Sequence, residues 1–189
     1  MNSTLKTLNG AQALNVYQPS LHRPTQESRS FRNVSGVSTG LTYNACVESC
    51  QLLTQLLADS QILFGLYKKH HWIMCGHAFY QLHLLFDKHA IEQLTLIDAI
   101  AERIQELGGV AIGDLRHAAE VTQIVRPPNG AEDVSVMIGR LLDAHATIIR
   151  GIHNTIERTH DNGDMGTNDL LMDDILRTHE RQVWLLARV

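Results

Sequence analysis

The stretch His70–Gly109 reads HHWIMCGHAFYQLHLLFDKHAIEQLTLIDAIAERIQELGG, and it sets His71, His83, Asp87, Asp98 and Glu102, all potential metal ligands, in an apolar, helix-forming context. Its reading decides the fold. From about His77 to Leu107, the residues Phe79, Leu82, Phe86, Ile97, Ile100, Ile104 and Leu107 form the core side of a long second helix, which Leu107-Gly108-Gly109 stops. Upstream, Cys46, Cys50, Leu53, Leu57, Phe64, Tyr67 and His71 alternate by three and four, the face of a first helix whose apolar stripe ends at His71.

Working outward, residues 1–40 are rich in Ser, Thr, Asn, Gln, Gly and Pro and read as a flexible polar tail. Residues 110–130 form a long connection containing RPPNG, with a short helical piece near Asp114–Val121. A third helix is expected over about Ala131–His160, followed by the turn DNGDMG and a fourth helix over about Asn168–Arg188. Nothing alternates like a strand. The expectation for 41–189 is an all-α four-helix bundle with a short helix in the connection between helices two and three.

Composition agrees with a single globular unit: 189 residues with 44% hydrophobic content can bury a sizeable core. A net charge of −4 excludes a globally basic nucleic-acid binder while leaving room for a local basic arm. Three cysteines are too few and too oddly numbered for a disulfide framework, so a reducing cytoplasm is the simplest setting. The opening MNSTLKTLNG lacks the apolar core of a signal peptide, and no apolar run reaches the roughly 18 residues of a membrane span. A soluble, cytoplasmic protein without a membrane partner is expected.

The five ligand candidates share one side of helix two and the end of helix one, yet they cannot meet within one chain. At a rise of about 1.5 Å per residue, Asp87 and Asp98 lie roughly 16 Å apart, and His83 and Glu102 nearly 30 Å. They form two half-sites, His83 with Asp87 and Asp98 with Glu102, each at i, i+4 spacing. Ile91 and Leu94 lie between them and suit a covered face. A second copy of the helix, antiparallel across a two-fold axis near residues 92 and 93, brings each half-site beside its complement and creates two equivalent sites. His71 leans over the same place through the short turn after it. Mixed imidazole and carboxylate ligands suit iron, zinc or manganese better than calcium, and spacing alone does not choose among them.

The motifs Lys68-x-x-His71-Trp72, Gly76, Phe79, His83, Asp87, Asp98-x-x-Ala101-Glu102-Arg103 and Leu107-Gly108-Gly109 closely resemble the Dps family, ferritin-like mini-ferritins named as DNA-binding proteins from starved cells. The resemblance extends more loosely over residues 41–189. It implies a hollow twelve-subunit shell built from two-fold dimers, whose intersubunit ferroxidase sites oxidise Fe(II), preferentially with hydrogen peroxide, and store ferric mineral. Such activity protects DNA from oxidative damage. The resemblance assigns His71, His83 and Asp87 to one subunit and Asp98 and Glu102 to its mate. Iron is the implied metal, with zinc as a substitute. Ile73, where the family often carries Asn, lies outside the ligand set. The region of Asp164, Asp169 and Asp173 corresponds to a three-fold pore in such shells, which makes these carboxylates a negative funnel for Fe(II); an ordinary solvated turn is the alternative.

Around the site, Lys68 either neutralises nearby carboxylates or extends to solvent. Trp72 and Trp184 are expected in the core, Trp72 also beside the metal, where its ring accepts oxidising equivalents. Cys46 and Cys50 read as small buried residues. Most of His89, His117, His145, His153, His160 and His179 are expected at the surface or at helix caps, with His160 the best extra metal candidate. The competing functions are a nucleoid protein that compacts DNA and a zinc-stabilised structural dimer. Lys6, Arg23, Arg29 and Arg32 against Glu27 give the tail only a weak cationic excess, so DNA binding is expected to be weak or absent.

Overall fold

The computed structural model describes residues 27–31, 33–36 and 39–189, and every regular element among them is helical. Helix α1 spans Tyr43–Ile73, α2 Phe79–Glu106, α3 Leu115–Val121 and α4 Val134–Asn162. The fourth long rod is composite: α5 (Met165–Leu170) runs through a π-helical turn (Leu171–Leu176) into α6 (Arg177–Leu186). This is the expected four-helix bundle, with α3 in the connection between α2 and α4. None of the helices among the described residues is long and apolar enough to cross a membrane.

Local chemistry sets the helix ends. Thr42 caps α1 by accepting a hydrogen bond from the Ala45 amide at 3.2 Å, and Asp114 caps α3 through the Arg116 amide at 2.9 Å. Gly163, at φ 85°, ends α4 in the left-handed conformation that glycine adopts without a Cβ penalty. Gly109 is needed for a different reason. A Cβ there would lie 2.7 Å from Cys50 Sγ and 2.9 Å from Ile104 Cγ2, so the end of α2 can press against α1 only without a side chain.

Leu53, Leu57 and Tyr67 of α1, Leu82, Phe86, Ile100 and Ile104 of α2, and Leu141, Ile148 and Ile152 of α4 are buried. Each large apolar side chain so removed from water contributes about 1.5–3 kcal/mol. Cys46 and Cys50 are buried as expected. Phe79 departs from the expected core face: it lies on the first turn of α2, exposed and stacked against the His83 ring at 5.0 Å. The long connection is clamped to α1 by Asp59, whose buried carboxylate accepts from Thr122 Oγ1 at 2.6 Å and the Gln123 amide at 2.7 Å.

The segment before α1 also differs from a free tail where it is described. Arg29 donates to Gln105 at 2.8 Å, the Ser35 amide donates to the Gly108 carbonyl at 2.9 Å, and Phe31 packs edge-on to His117 at 4.7 Å. These contacts lay residues 29–31 and 33–35 over the end of α2 and beside α3. Of the expected tail, residues 1–26, 32, 37 and 38, and with them Lys6, Arg23 and Arg32, lie outside the described residues.

Candidate metal centre

The histidine half-site is held by the turn between α1 and α2. His71, on the last turn of α1, and His83, near the start of α2, stack with ring centroids 3.7 Å apart and planes inclined by 18°. Their backbones fix the rings reciprocally: His71 Nδ1 lies 2.9 Å from the His83 carbonyl oxygen, and His83 Nδ1 lies 3.0 Å from that of His71. A carbonyl oxygen only accepts, so both Nδ1 atoms carry the proton, and in the neutral rings both Nε2 atoms keep a lone pair. Each imidazole thus keeps its Nε2 prepared as a potential metal ligand.

Asp87 stands one helical turn beyond His83 and forms an ion pair with Lys68 at 2.6 Å. The hydrogen bond from Lys68, helped by the charge of its ammonium, outweighs desolvation and holds the carboxyl below its usual range. The structure therefore takes the first of the two readings of Lys68. A metal at Asp87 competes with this ammonium for Oδ1. At the other end of α2, Asp98 and Glu102 are exposed. Between the half-sites Ile91 is 60% exposed and Leu94 48%, on the same outer face as Leu84 and Tyr80. Within one chain, among the described residues, no three His, Cys, Asp or Glu side chains are arranged to hold a metal.

Trp72 and Trp184 correct the expectation of core packing. Trp72 is 72% exposed because it points away from the bundle at the last turn of α1, and Trp184 is 58% exposed on α6.

Asp164 is also misplaced by the pore reading. It is fully buried, caps α5 through the Thr167 amide at 3.1 Å, accepts from Thr167 Oγ1 at 2.6 Å and pairs with Arg103 at 2.7 Å. Burial alone would raise its pKa, but the Thr167 and Arg103 hydrogen bonds outweigh it and hold the carboxyl ionised. A carboxylate so engaged inside the bundle does not line a channel. Asp169 and Asp173 are exposed, and Asp173 pairs with Arg177 at 3.0 Å.

Sequence reasoning missed a polar cluster in the bundle core. His89, His145 and His179 are fully buried rather than superficial, and Tyr67 joins them. Desolvation pushes His89 down to about 4 and His179 to about 3, lowers His145 well below the usual imidazole range, and raises the Tyr67 phenol. His117 is half-buried against Phe31, whereas His153 and His160 are exposed as expected. The only signal was spacing: His89 and Tyr67 fall on the buried faces of their own helices.

Residues 50–189 match the ferritin-like domain family. DpsC from Streptomyces coelicolor superposes with a TM-score of 0.85 at 52% identity, covering 86% of this chain and 95% of that one. A Kitasatospora aureofaciens protein, described as an uncharacterized protein in the bpoA2 5′ region, is 53% identical over 147 residues, 78% of this chain and 98% of its own. A nutrient stress-induced DNA-binding protein from a Nostoc strain is 33% identical over 129 residues, 68% of this chain and 70% of its own.

Proposed function

The chain belongs to the Dps family of ferritin-like proteins, and from that membership we propose an iron-storage and detoxification protein that oxidises Fe(II) with hydrogen peroxide at sites shared between two subunits. The observation that carries this reading is the stacked His71–His83 pair, whose Nδ1 atoms are occupied by backbone carbonyls while both Nε2 atoms stay available. In the proposed assembly Asp87 joins them from the same chain, and Asp98 and Glu102 come from a second copy. That copy also covers Ile91 and Leu94.

The residues fit iron. Imidazole and carboxylate donors suit Fe(II), and the extra negative charge of three carboxylates favours the ferric product. Two Fe(II) give one electron each to a peroxide, which leaves as two hydroxides. Lys68 balances the Asp87 charge until metal arrives. A shell of twelve copies encloses the ferric mineral, and zinc at the same donors acts as a substitute that binds without turning over.

The test loads metal-free protein with Fe(II), adds peroxide, and follows ferric absorbance together with particle size. Rapid oxidation with iron retained in a shell-sized particle is expected. Metal binding without oxidation would replace the proposal with a zinc-type structural dimer. The DNA-compacting alternative draws support from the Nostoc relative, which is named a nutrient stress-induced DNA-binding protein. Few cations are available, and each phosphate contact weakens as salt rises, so free DNA is expected in a gel-shift assay near physiological salt. Tail-dependent retardation there would favour compaction.

Asp169 and Asp173 remain proposed for iron uptake. Changing both to Asn preserves size and removes charge, so the initial oxidation rate should fall several-fold at low iron and low ionic strength and recover at high iron. An unchanged rate at low iron would remove them from the uptake route.

A further inference from the structure

Tyr67, His89, His145 and His179 come one from each long rod of the bundle and form a continuous hydrogen-bonded chain. Tyr67 Oη lies 2.6 Å from His145 Nε2 and 3.1 Å from His89 Nδ1, and His145 Nδ1 lies 2.9 Å from His179 Nδ1. The phenol has one proton to give. The shorter contact assigns it to His145, which leaves His89 donating to the phenol oxygen and His145 donating onward to His179. All four side chains are fully buried, and the outer ring nitrogens of His89 and His179 have no protein partner.

Such a cluster is costly as mere filling. A phenylalanine among aliphatic residues would occupy the same space without four polar groups to satisfy. Its position gives it a use. Tyr67 lies one helical turn, about 6 Å of rise, before His71. Its ring packs on Phe86 at a centroid distance of 6.1 Å, and Phe86 directly precedes Asp87. The phenol thus lies buried in the bundle one helical turn before His71, whereas Trp72 and Tyr80 are exposed, at 72% and 66%.

We propose that Tyr67 is a redox-active residue that supplies the second electron when peroxide meets a site holding a single Fe(II). This rests on the ferroxidase reading above. One Fe(II) gives one electron to hydrogen peroxide, breaking the O–O bond into hydroxide and a hydroxyl radical. Tyr67 then gives one electron to that radical, which becomes a second hydroxide. The phenolic proton passes to His145 Nε2 while the Nδ1 proton of His145 passes to His179 Nδ1, so the positive charge moves one residue away from the neutral phenoxyl. A later Fe(II) returns the electron and the proton returns along the same chain. Two Fe(II) and one peroxide are consumed in total, giving two Fe(III) and two hydroxides, with no hydroxyl radical released.

The experiment adds peroxide to assembled protein carrying one Fe(II) per site, freezes the mixture within milliseconds, and records electron paramagnetic resonance beside parallel spin-trapping. The wild type should show a transient phenoxyl signal and little trapped hydroxyl radical. Tyr67→Phe should lose that signal and release several-fold more trapped radical, while its oxidation rate at excess iron stays close to wild type. His145→Gln keeps the phenol but alters its proton acceptor, and should delay the signal. Wild-type protein with ring-deuterated tyrosine provides a readout that needs no substitution: the signal must narrow. Equal radical release from Tyr67→Phe and wild type, or a signal that persists in Tyr67→Phe or does not narrow on deuteration, would overturn the proposal and leave the ferroxidase reading intact. Failure of the wild type to oxidise iron at any loading would overturn both.

Discussion

Arg103→Ala should lower the unfolding free energy by about 3–5 kcal/mol, because it leaves the Asp164 carboxylate buried without its counter-charge. Asp164 is fully buried, and Arg103 ties it to the end of α2 while also bonding Thr167 at 2.9 Å and Glu106 at 2.9 Å. The pair thereby fixes the start of the fourth rod against the turn of α2 that carries Glu102. Urea unfolding at fixed protein concentration measures the loss. Adding Asp164→Asn to Arg103→Ala should restore much of it, since no buried charge is then stranded. The pH dependence has a definite sign. The folded pKa of Asp164 is depressed from the ordinary value of 3.8, so its stabilisation is present above that value and disappears as pH falls through the lower folded value. Arg103→Ala should flatten this acid-side loss. Variant and wild type unfolding at the same urea concentration would show that the pair contributes little.

Much of this architecture was legible because helix periodicity is a local property. The stripes through Leu53, Leu57 and Tyr67 and through Leu82, Phe86, Ile100 and Ile104 identify buried faces before any packing is known. The grouping of the candidate ligands along α2 was legible for the same reason: i, i+4 spacing makes His83 and Asp87, and Asp98 and Glu102, neighbours, and helix rise keeps the two pairs apart. The reciprocal His71–His83 bonds were not legible, because they depend on how the five residues between α1 and α2 turn.

Tertiary convergence hid the rest. His145 and His179 each look isolated on their own helices, and only the meeting of four rods joins them to Tyr67 and His89. Asp164 sits in a polar turn, HDNGDMG, so its sequence context suggests solvent, while Arg103, 61 residues earlier, draws it inside. Asp59 shows the same effect on a helix face, where Thr122 and Gln123 of the distant connection satisfy a carboxylate that local sequence would leave in water. Trp72 failed in the opposite direction: a large aromatic beside a ligand histidine reads as core, yet its position on the last turn of α1 points it outward.

The central proposal, an oxidation site divided between two copies of the chain, is tested most directly by complementation. One variant carries His71→Ala and His83→Ala, the other Asp98→Ala and Glu102→Ala. Each alone lacks part of every site and should lose nearly all peroxide-driven iron oxidation. A mixed dimer has one site with every lesion and one with all five ligands restored. Co-assembly at equal amounts should therefore recover about a quarter of wild-type activity if pairing is random and the sites act independently. Native mass spectrometry establishes that mixed dimers have formed. Recovery near that level is the result the account predicts; mixed dimers that oxidise iron no faster than either variant alone would contradict it.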